Sequence, residues 1–315
     1  MKSNNSNKNP WLALKTYEEE DQHKFKGRDK DVDNIVTLIE QNECVICYAA
    51  SGEGKSSLIN AGLCPRLKQE NYFPIKIFFT QEEQNLERLD FDKVVSYKIE
   101  SCLKSYNNDI DENVSKLEND IEKKLLSNLK VEFKRQDKYK DVELPDFLWW
   151  TLRTGTIQTA LGKQCVPVLI FDQFEEIFRT KWKDEFFRWL EILMKDKCPN
   201  DNIDDNLIPT RKLFKVLFSM RHEYVGELDY WCSQRMYIPQ MMRNRYFLKP
   251  LTREQSLSII KGQEYYNDSI ADKTISCADE IINVAKKDKN KQSDEVSAIV
   301  LSLICKLLYE KWSDD

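Results

Sequence analysis

A run of small residues that ends in lysine and serine is the part of this sequence with the clearest chemistry. Segment 49–57 reads AASGEGKSS and fits the pattern G-x-x-x-x-G-K-[ST], except that Ala49 replaces the first glycine. Backbone N–H groups can surround phosphate oxygens only where side chains are small and some residues reach positive φ. Lys55 can reach the β- and γ-phosphates, and the Ser56 hydroxyl can bind Mg²⁺. The predicted phosphate-binding residues are Ala50, Ser51, Gly52, Glu53, Gly54, Lys55, Ser56 and Ser57.

Acidic residues follow a continuous apolar run later in the chain. Asp172 comes directly after segment 166–171, which reads VPVLIF. At the carboxyl end of a buried strand this carboxylate would face the phosphate loop and hold Mg²⁺ together with Ser56. Glu175 or Glu176 could orient the attacking water as a general base. Alternatively, these glutamates could simply stabilise the first turn of the helix predicted over 173–194 through its dipole.

A basic residue follows a third apolar run. Arg221 lies just beyond the strand predicted over 212–220. A cation at this place could sense or stabilise a γ-phosphate. An arginine after a strand is by itself usually a surface residue, so the prediction depends on the two preceding motifs.

The elements that must position these residues alternate between strands and helices. A strand is predicted over 43–48, a helix over 55–67 and a second strand over 74–79. Such alternation indicates an α/β fold with a mostly parallel sheet. We predict a disordered tail at 1–10, a core at 11–250 and a C-terminal helical lobe at 251–315. The charged segment at about 81–145 lacks glycine and is predicted as a helical insert.

Composition excludes several classes of protein. The 315 residues carry 48 basic and 53 acidic side chains, a net charge of −5, which argues against a surface devoted to nucleic acid. The basic stretch 130–140 contains acidic residues and is interpreted as a solvated helix face. No apolar run approaches the length of a membrane span. The start of the chain lacks the apolar core of a signal peptide, and the nine scattered cysteines indicate reduced thiols in a cytoplasmic protein.

Four stretches, in order, resemble the STAND class of signal-transduction P-loop NTPases, particularly its novel STAND branch. They are FKGRD at 25–29, ASGEGKSSL at 50–58 with AGLCPRL at 61–67, DQFEEIF at 172–178, and the strand that ends at Arg221 with LKPLT beyond it at 248–252. The resemblance covers roughly residues 11 to 312. It implies a three-layer P-loop NTPase core.

The resemblance also implies roles for residues. Gly27 and Arg28 would lie near the adenine and ribose of ATP, and Arg221 would be the sensor. Members of the class use ATP binding and slow hydrolysis as a switch that controls oligomerisation, and many act in bacterial antiviral defence. Ala298 departs from the family pattern, since a proline that contacts the nucleotide is usual there. The chain ends at Asp315, so we expect it to lack the family's usual sensor and effector parts.

These observations predict a slow ATPase module that binds ATP and Mg²⁺ and acts as a switch. Its expected partners are a second copy of the chain or a separately encoded sensor or effector protein, with no membrane and no clear nucleic-acid site. A non-catalytic nucleotide-binding scaffold and a kinase-type P-loop enzyme are the alternatives. A DNA-linked ATPase is a weaker third alternative.

Overall fold

The computed structural model describes residues 9–79, 90–135, 149, 152–153, 155–195, 213–234, 243–263, 268–287 and 294–314. Residues 1–8 of the predicted tail lie outside this described part of the chain. The chain divides into two compact units. The loop unit comprises Met1–Thr37, Cys47–Arg66 and Tyr246–Asp315, and the sheet unit comprises Leu38–Ile46 and Leu67–Arg245. Residues 251–315, predicted as a lobe, thus fall in the same unit as the phosphate loop.

Strands in the described residues form one mixed sheet. They are β1 (Cys44–Ala49), β2 (Tyr72–Ile77), β3 (Val131–Arg135), β4 (Gly155–Thr159), β5 (Gln164–Phe171), β6 (Lys215–Arg221) and β7 (Arg245–Phe247). Their order is β3-β4-β5-β6-β1-β7, and β2 also pairs with β5. The division between the units falls within β1 after Ile46 and within β7 after Arg245.

The central pairings of the sheet unit are parallel. Ile75 of β2 lies opposite Leu169 of β5, and Ile170 of β5 lies opposite Leu217 of β6. Strands β3–β4 and β4–β5 pair antiparallel. The continuous apolar runs are explained by strands that are buried on both faces. The predicted α/β class with a mostly parallel sheet is therefore confirmed.

Helices make up the remaining regular structure. They are α1 (Asp29–Gln41), α2 (the continuous run of Lys55–Ser57, Leu58–Leu63 and Cys64–Gln69), α3 (Phe91–Ser115), α4 (Asp120–Ser127), α5 (Lys183–Met194), α6 (Val225–Ser233), α7 (Arg253–Lys261), α8 (Asp268–Ser276), α9 (Ala278–Ala285) and α10 (Ala298–Asp314). The Leu58–Leu63 part of α2 is a π-helix. Short 3₁₀ turns occupy Glu19–Lys24, Phe174–Arg179 and His222–Tyr224.

The predicted helical insert contains α3 and α4. Helix α3 buries a stripe at four-residue spacing that includes Phe91, Val95, Ile99 and Leu103, which is the pattern of an amphipathic helix. Val131–Arg135, however, is strand β3 and not the solvated helix face predicted for the basic stretch 130–140. Pairing with β4 places this segment in the sheet, because tertiary context overrides local composition. Residues 81–89 and 136–145 of the insert lie outside the described residues.

The helix predicted over 173–194 is divided in two. Phe174–Arg179 forms a 3₁₀ turn, and α5 begins at Lys183. Thr180 separates them, because its hydroxyl donates to Ile177 O at 2.8 Å and accepts from Trp182 N–H at 3.3 Å. The aromatic residues of this region belong to the core. Phe186 and Phe187 are fully buried, and Phe186 packs against Phe171 of β5.

Helices α7 to α10 of the loop unit surround an apolar cluster that includes Trp11, Ile260, Ile282 and Leu301. Helix α7 begins with a capping box. Thr252 Oγ1 accepts from Gln255 N–H at 3.1 Å, and the Gln255 side chain accepts from Thr252 N–H at 2.9 Å. This reciprocal pair fixes the start of α7.

Cys44 and Cys47, which form a C-x-x-C pair in the sequence, are both buried in β1 and belong to the core. Burial raises the pKa of the Cys44 thiol far above its usual range. The described residues contain no group of three or more His, Cys, Asp or Glu arranged to hold a metal ion. Within the same residues, no helix has the length and apolar character that a membrane crossing requires.

Candidate functional site

Two glycines give the phosphate loop its backbone shape. Strand β1 ends at Ala49, and α2 begins at Lys55. Gly52 has φ 81° and Gly54 has φ 83°, the left-handed region that favours glycine. Ala49 is fully buried and belongs to the extended strand. Its position therefore requires no positive φ, which explains why alanine is accommodated where the motif has glycine.

Lys55 and the first turn of α2 gather donors at the end of this loop. The Lys55 Nζ donates to Ala49 O at 3.2 Å and to Ala50 O at 3.1 Å, so its ammonium lies over the loop. The N–H groups of a first helical turn have no partner within the helix, and they bind anions readily. Ser57 Oγ accepts from Tyr17 N–H at 3.1 Å. This bond ties the N-terminal segment to the start of α2.

The π-helical part of α2 is held by the same N-terminal segment. Asn60 is buried, and its Nδ2 donates to Glu18 Oε2 at 3.0 Å. Leu58, Ile59 and Leu63 are buried around it. A π-helical turn widens the helix locally and is frequent near functional sites. Burial of these apolar residues fixes the direction of α2 and, with it, the phosphate loop.

Gly27 allows a close approach between the N-terminal segment and α7. Its φ is 79°, and a Cβ on this residue would lie 2.5 Å from Ile259 Cγ1. A side chain here would both strain the backbone and overlap α7. Steric exclusion within the loop unit therefore explains why the FKGRD stretch has glycine at position 27.

Arg28 joins three separate segments of the loop unit. Its guanidinium is buried and pairs with Asp31 Oδ2 at 3.1 Å. It also donates to Lys249 O at 2.9 Å and to Glu53 O at 3.2 Å. The last bond reaches the backbone of the phosphate loop itself. Arg28 thus positions the phosphate loop.

Asp31 extends this network. It accepts from the Tyr246 hydroxyl at 2.6 Å and from Gln255 Nε2 at 3.4 Å. Burial and the hydrogen bond to Asp31 raise the pKa of Tyr246 to about 12. The network therefore links α1, α7 and the end of β7 around one buried arginine.

The Glu53 side chain meets a partner that the sequence did not indicate. Glu53 is buried within the phosphate loop, and its Oε1 pairs with the Nζ of Lys287. Sequence patterns relate residues that lie close in the chain, and these two are separated by 234 positions. No signal in the sequence identified Lys287.

Asp172 lies in the sheet unit at the place that its sequence position predicts. It directly follows β5 and is buried. Its Oδ1 accepts from Gln173 N–H at 3.0 Å, and Gln173 has φ 54°. This left-handed residue turns the chain sharply after the strand and fixes the Asp172 carboxylate at the strand end.

Glu175 and Arg221 are brought together in the sheet unit. Glu175 is 3% exposed, and its Oε1 lies 3.1 Å from Arg221 Nε. Its Oε2 accepts from Arg221 N–H at 3.2 Å. Both carboxylate oxygens therefore bind the residue predicted as the sensor, whose side chain is 43% exposed.

Glu176 has a different environment from its neighbour. Its carboxylate pairs with Arg179 Nη1 at 3.0 Å on the surface. Arg179 also donates to the Tyr224 hydroxyl at 2.8 Å, and these contacts raise the pKa of its guanidinium. The two candidate bases are thus distinct: one is buried against Arg221, and the other belongs to a surface cluster.

The donors in the loop unit fit a chain of phosphates. Gly52 and Gly54 shape the backbone, Lys55 brings a cation, and α2 brings its amino-terminal N–H groups. The Ser56 hydroxyl of the same unit is a hard oxygen donor of the kind that Mg²⁺ prefers. In the sheet unit, the Asp172 carboxylate is a donor of the same kind.

Solved structures similar to this chain include a Walker-type ATPase of Pyrococcus abyssi, at 13% identity over 96% of this chain and 76% of that chain, with a TM-score of 0.44. The Aeropyrum pernix ORC1 protein, solved in complex with DNA, shows 9% identity over 92% of this chain and 61% of that one, with a TM-score of 0.42. The Aeropyrum pernix ORC2 protein, in ADPNP–ADP complexes, shows 9% identity over 89% and 67%, with a TM-score of 0.42.

No curated protein matches the chain. The family model described as Novel STAND NTPase 1 matches residues 10–291. This match spans the phosphate loop, the DQFEE stretch and Arg221. The resemblance to the novel STAND branch is therefore confirmed, as is the P-loop NTPase fold. The chain belongs to the Novel STAND NTPase 1 family.

Proposed function

We propose that this chain is an ATP-binding, slowly hydrolysing switch module. The observation that carries the proposal is the phosphate loop, where two left-handed glycines precede Lys55 at the start of α2. Membership of an NTPase family supports the same conclusion. Backbone N–H groups of the loop and the Lys55 ammonium would together neutralise the phosphates.

Nucleotide binding assigns a role to each predicted residue. Lys55 contacts the β- and γ-phosphates, and the remaining residues of 50–57 surround them. Ser56 and Asp172 would hold Mg²⁺, which supplies positive charge to the phosphoryl oxygens when it is bound. Gly27 and Arg28 serve the adenine and ribose side, as the family resemblance implies, and Arg28 also holds the loop through Glu53 O.

Hydrolysis requires a group that orients water. We assign this role to Glu175 or Glu176, and the sensor role to Arg221. One oxygen of Glu175 pairs with the Arg221 guanidinium, and the other accepts a hydrogen bond from the Arg221 backbone N–H. Because Glu175 is buried and both of its oxygens contact Arg221, a water must reach one of the remaining lone pairs of the carboxylate, and this restricted access is consistent with slow turnover. The sensor role fits the Arg221 side chain, which is a partly exposed cation, since a cation can stabilise the charge of a γ-phosphate.

A non-catalytic nucleotide-binding scaffold is the second candidate. The same Glu175–Arg221 pair favours it, because both oxygens of this carboxylate already contact Arg221 and the residue is buried away from water. A kinase-type enzyme is the third candidate, and it would need a phosphoryl acceptor.

Phosphate release from MgATP by the full chain tests these alternatives. The switch predicts slow release without an added acceptor, and the release should fall further in Asp172→Asn. A scaffold predicts binding with no release above the Asp172→Asn background. A kinase predicts release or transfer only after an acceptor is added.

The biological setting extends the proposal. The family resemblance suggests bacterial signalling or antiviral defence in the cytoplasm, with a homo-oligomer or a separately encoded sensor or effector as the partner. Size-exclusion chromatography with a non-hydrolysable ATP analogue tests assembly. A shift to larger species that depends on the analogue would support a switch, and an unchanged elution would count against nucleotide-driven oligomerisation.

A further inference from the structure

A buried negative charge lies inside the loop that is proposed to bind a polyanion. Glu53 stands between the two left-handed glycines, and only 2% of its surface is exposed. Its Oε1 pairs with Lys287 Nζ, and its Oε2 receives no hydrogen bond from the described residues. A buried carboxylate that lacks a compensating cation is costly by itself. It would also repel phosphates that bind next to it.

Backbone hydrogen bonds fix the segment that contains Lys287. This residue follows α9, and its N–H donates to Glu295 O at 3.1 Å. The preceding residue, Lys286, forms a β-bridge with Val296, and Ser297 N–H donates to Ala285 O at 3.0 Å. The chain on either side of 288–293 is therefore held together. The Lys287 side chain is 30% exposed, so its ammonium reaches inward to Glu53 from a partly solvated position.

Arg28 also contacts Glu53, but it does not neutralise the charge of the Glu53 carboxylate. Arg28 donates to the backbone oxygen of Glu53, but its guanidinium pairs with Asp31. The neighbouring Gly52 contacts an apolar residue, since a Cβ on it would lie 3.4 Å from Ile299 Cγ2. Among the described contacts, Lys287 is thus the cation that neutralises the Glu53 side chain.

We propose that Lys287 is a positioning residue for nucleoside triphosphate binding: it neutralises and orients Glu53, so that the phosphate loop can accept an anion. This inference rests on the proposed function. It makes nucleotide affinity depend on the segment between α9 and α10 through one ion pair. The effect should grow with the charge of the ligand, because repulsion by an uncompensated carboxylate increases with each added phosphate.

Equilibrium binding of MgATP and MgADP to four forms of the full chain tests the proposal. The forms are the wild type, Lys287→Met, Glu53→Gln, and the double variant. Lys287→Met should weaken MgATP binding by about tenfold or more, and MgADP binding by less. On the Glu53→Gln background, the same lysine substitution should have little effect, because no carboxylate is left to neutralise. Lys286→Met is the matched control, since Lys286 pairs with the exposed Asp294, and it should bind as the wild type does.

Two results would overturn the proposal. One is wild-type affinity in Lys287→Met. The other is an equal loss on both backgrounds, which would mean that Lys287 acts on the nucleotide or on packing and not through Glu53. Lys287→Arg should retain affinity, because it keeps the charge.

A folding defect and a failure of the proposed function can both be recognised. If Lys287→Met does not fold, the comparison of Glu53→Gln with the double variant still decides, because neither carries the unpaired carboxylate. A loss of affinity between these two forms contradicts the proposal. If the wild type binds no nucleotide, the proposed function fails. The ion pair is then tested by urea unfolding, where the four forms should still show coupling between positions 53 and 287.

Discussion

At the scale of single residues, adjacent carboxylates can have different roles. Glu175 is buried against Arg221, whereas Glu176 pairs with Arg179 on the surface. The sequence could not separate these two, because both lie in the same turn after Asp172 and both would favour a helix dipole. The 3₁₀ geometry of Phe174–Arg179 gives them their different directions.

Glu175→Gln should reduce phosphate release by about 10²-fold or more, the range for loss of a general base. Phosphate release by Glu176→Gln should fall severalfold at most, because the Glu176 carboxylate pairs with Arg179 on the surface and takes no part in the buried Glu175–Arg221 pair. Single-turnover phosphate release with each variant measures the difference. A larger loss in Glu176→Gln would reassign the base to Glu176.

Removal of Arg28 should lower the stability of the loop unit strongly. Arg28→Ala leaves Asp31 buried without its cation and removes the bonds to Lys249 O and Glu53 O. The free energy of unfolding should fall by about 3–5 kcal/mol, the range for one broken buried pair. Urea unfolding followed by circular dichroism measures this change.

Arg66→Ala is the control for Arg28. Its ion pair with Asp33 spans 3.8 Å between exposed side chains, and such pairs contribute about 0–1 kcal/mol. Equal losses in the two variants would show that the Arg28 network does not hold the loop unit together.

At the scale of elements, the phosphate loop depends on backbone shape more than on packing. A Cβ on Gly54 would meet no atom within 4 Å, so only its φ of 83° argues for glycine. Gly54→Ala should therefore lower the free energy of unfolding by about 1–2 kcal/mol through backbone strain alone. The same substitution should weaken MgATP binding. Urea unfolding and nucleotide titration of the same sample measure both effects.

Gly226→Ala is the matched control for this substitution. Gly226 lies in helix α6 and is also open around its Cα. Alanine should be neutral there, or stabilising by up to about 1 kcal/mol. If both variants lose the same stability, strain at Gly54 is not the cause.

Elements with a strong local pattern could be predicted from the sequence. The strand before Asp172, the helix after Lys55 and the capping box at Thr252 each depend on residues close in the chain. Strand β3 could not, because its charged residues at 132, 134 and 135 resemble a solvated helix until β4 pairs with it. The Glu53–Lys287 pair joins distant segments, and no periodicity reports such a contact.

At the scale of the whole molecule, the predicted residues are divided between two units. The phosphate loop, Gly27 and Arg28 belong to the loop unit, together with α7 to α10. Asp172, Glu175 and Arg221 belong to the sheet unit. The net charge of −5 makes general attraction of an anionic ligand weak. Affinity for a nucleotide must therefore come from local donors, chiefly Lys55 and the start of α2.

Titration calorimetry of MgATP with the full chain and its Lys55→Ala variant tests this account most directly. The wild type should bind one nucleotide saturably, and Lys55→Ala should bind at least about tenfold more weakly, because a charge-assisted contact to phosphate is lost. Lys93→Ala is the control, since Lys93 is an exposed residue paired with Asp90, and it should match the wild type. Equal affinity in Lys55→Ala and the wild type, or no binding by the wild type, would contradict the assignment of the phosphate loop as a nucleotide site.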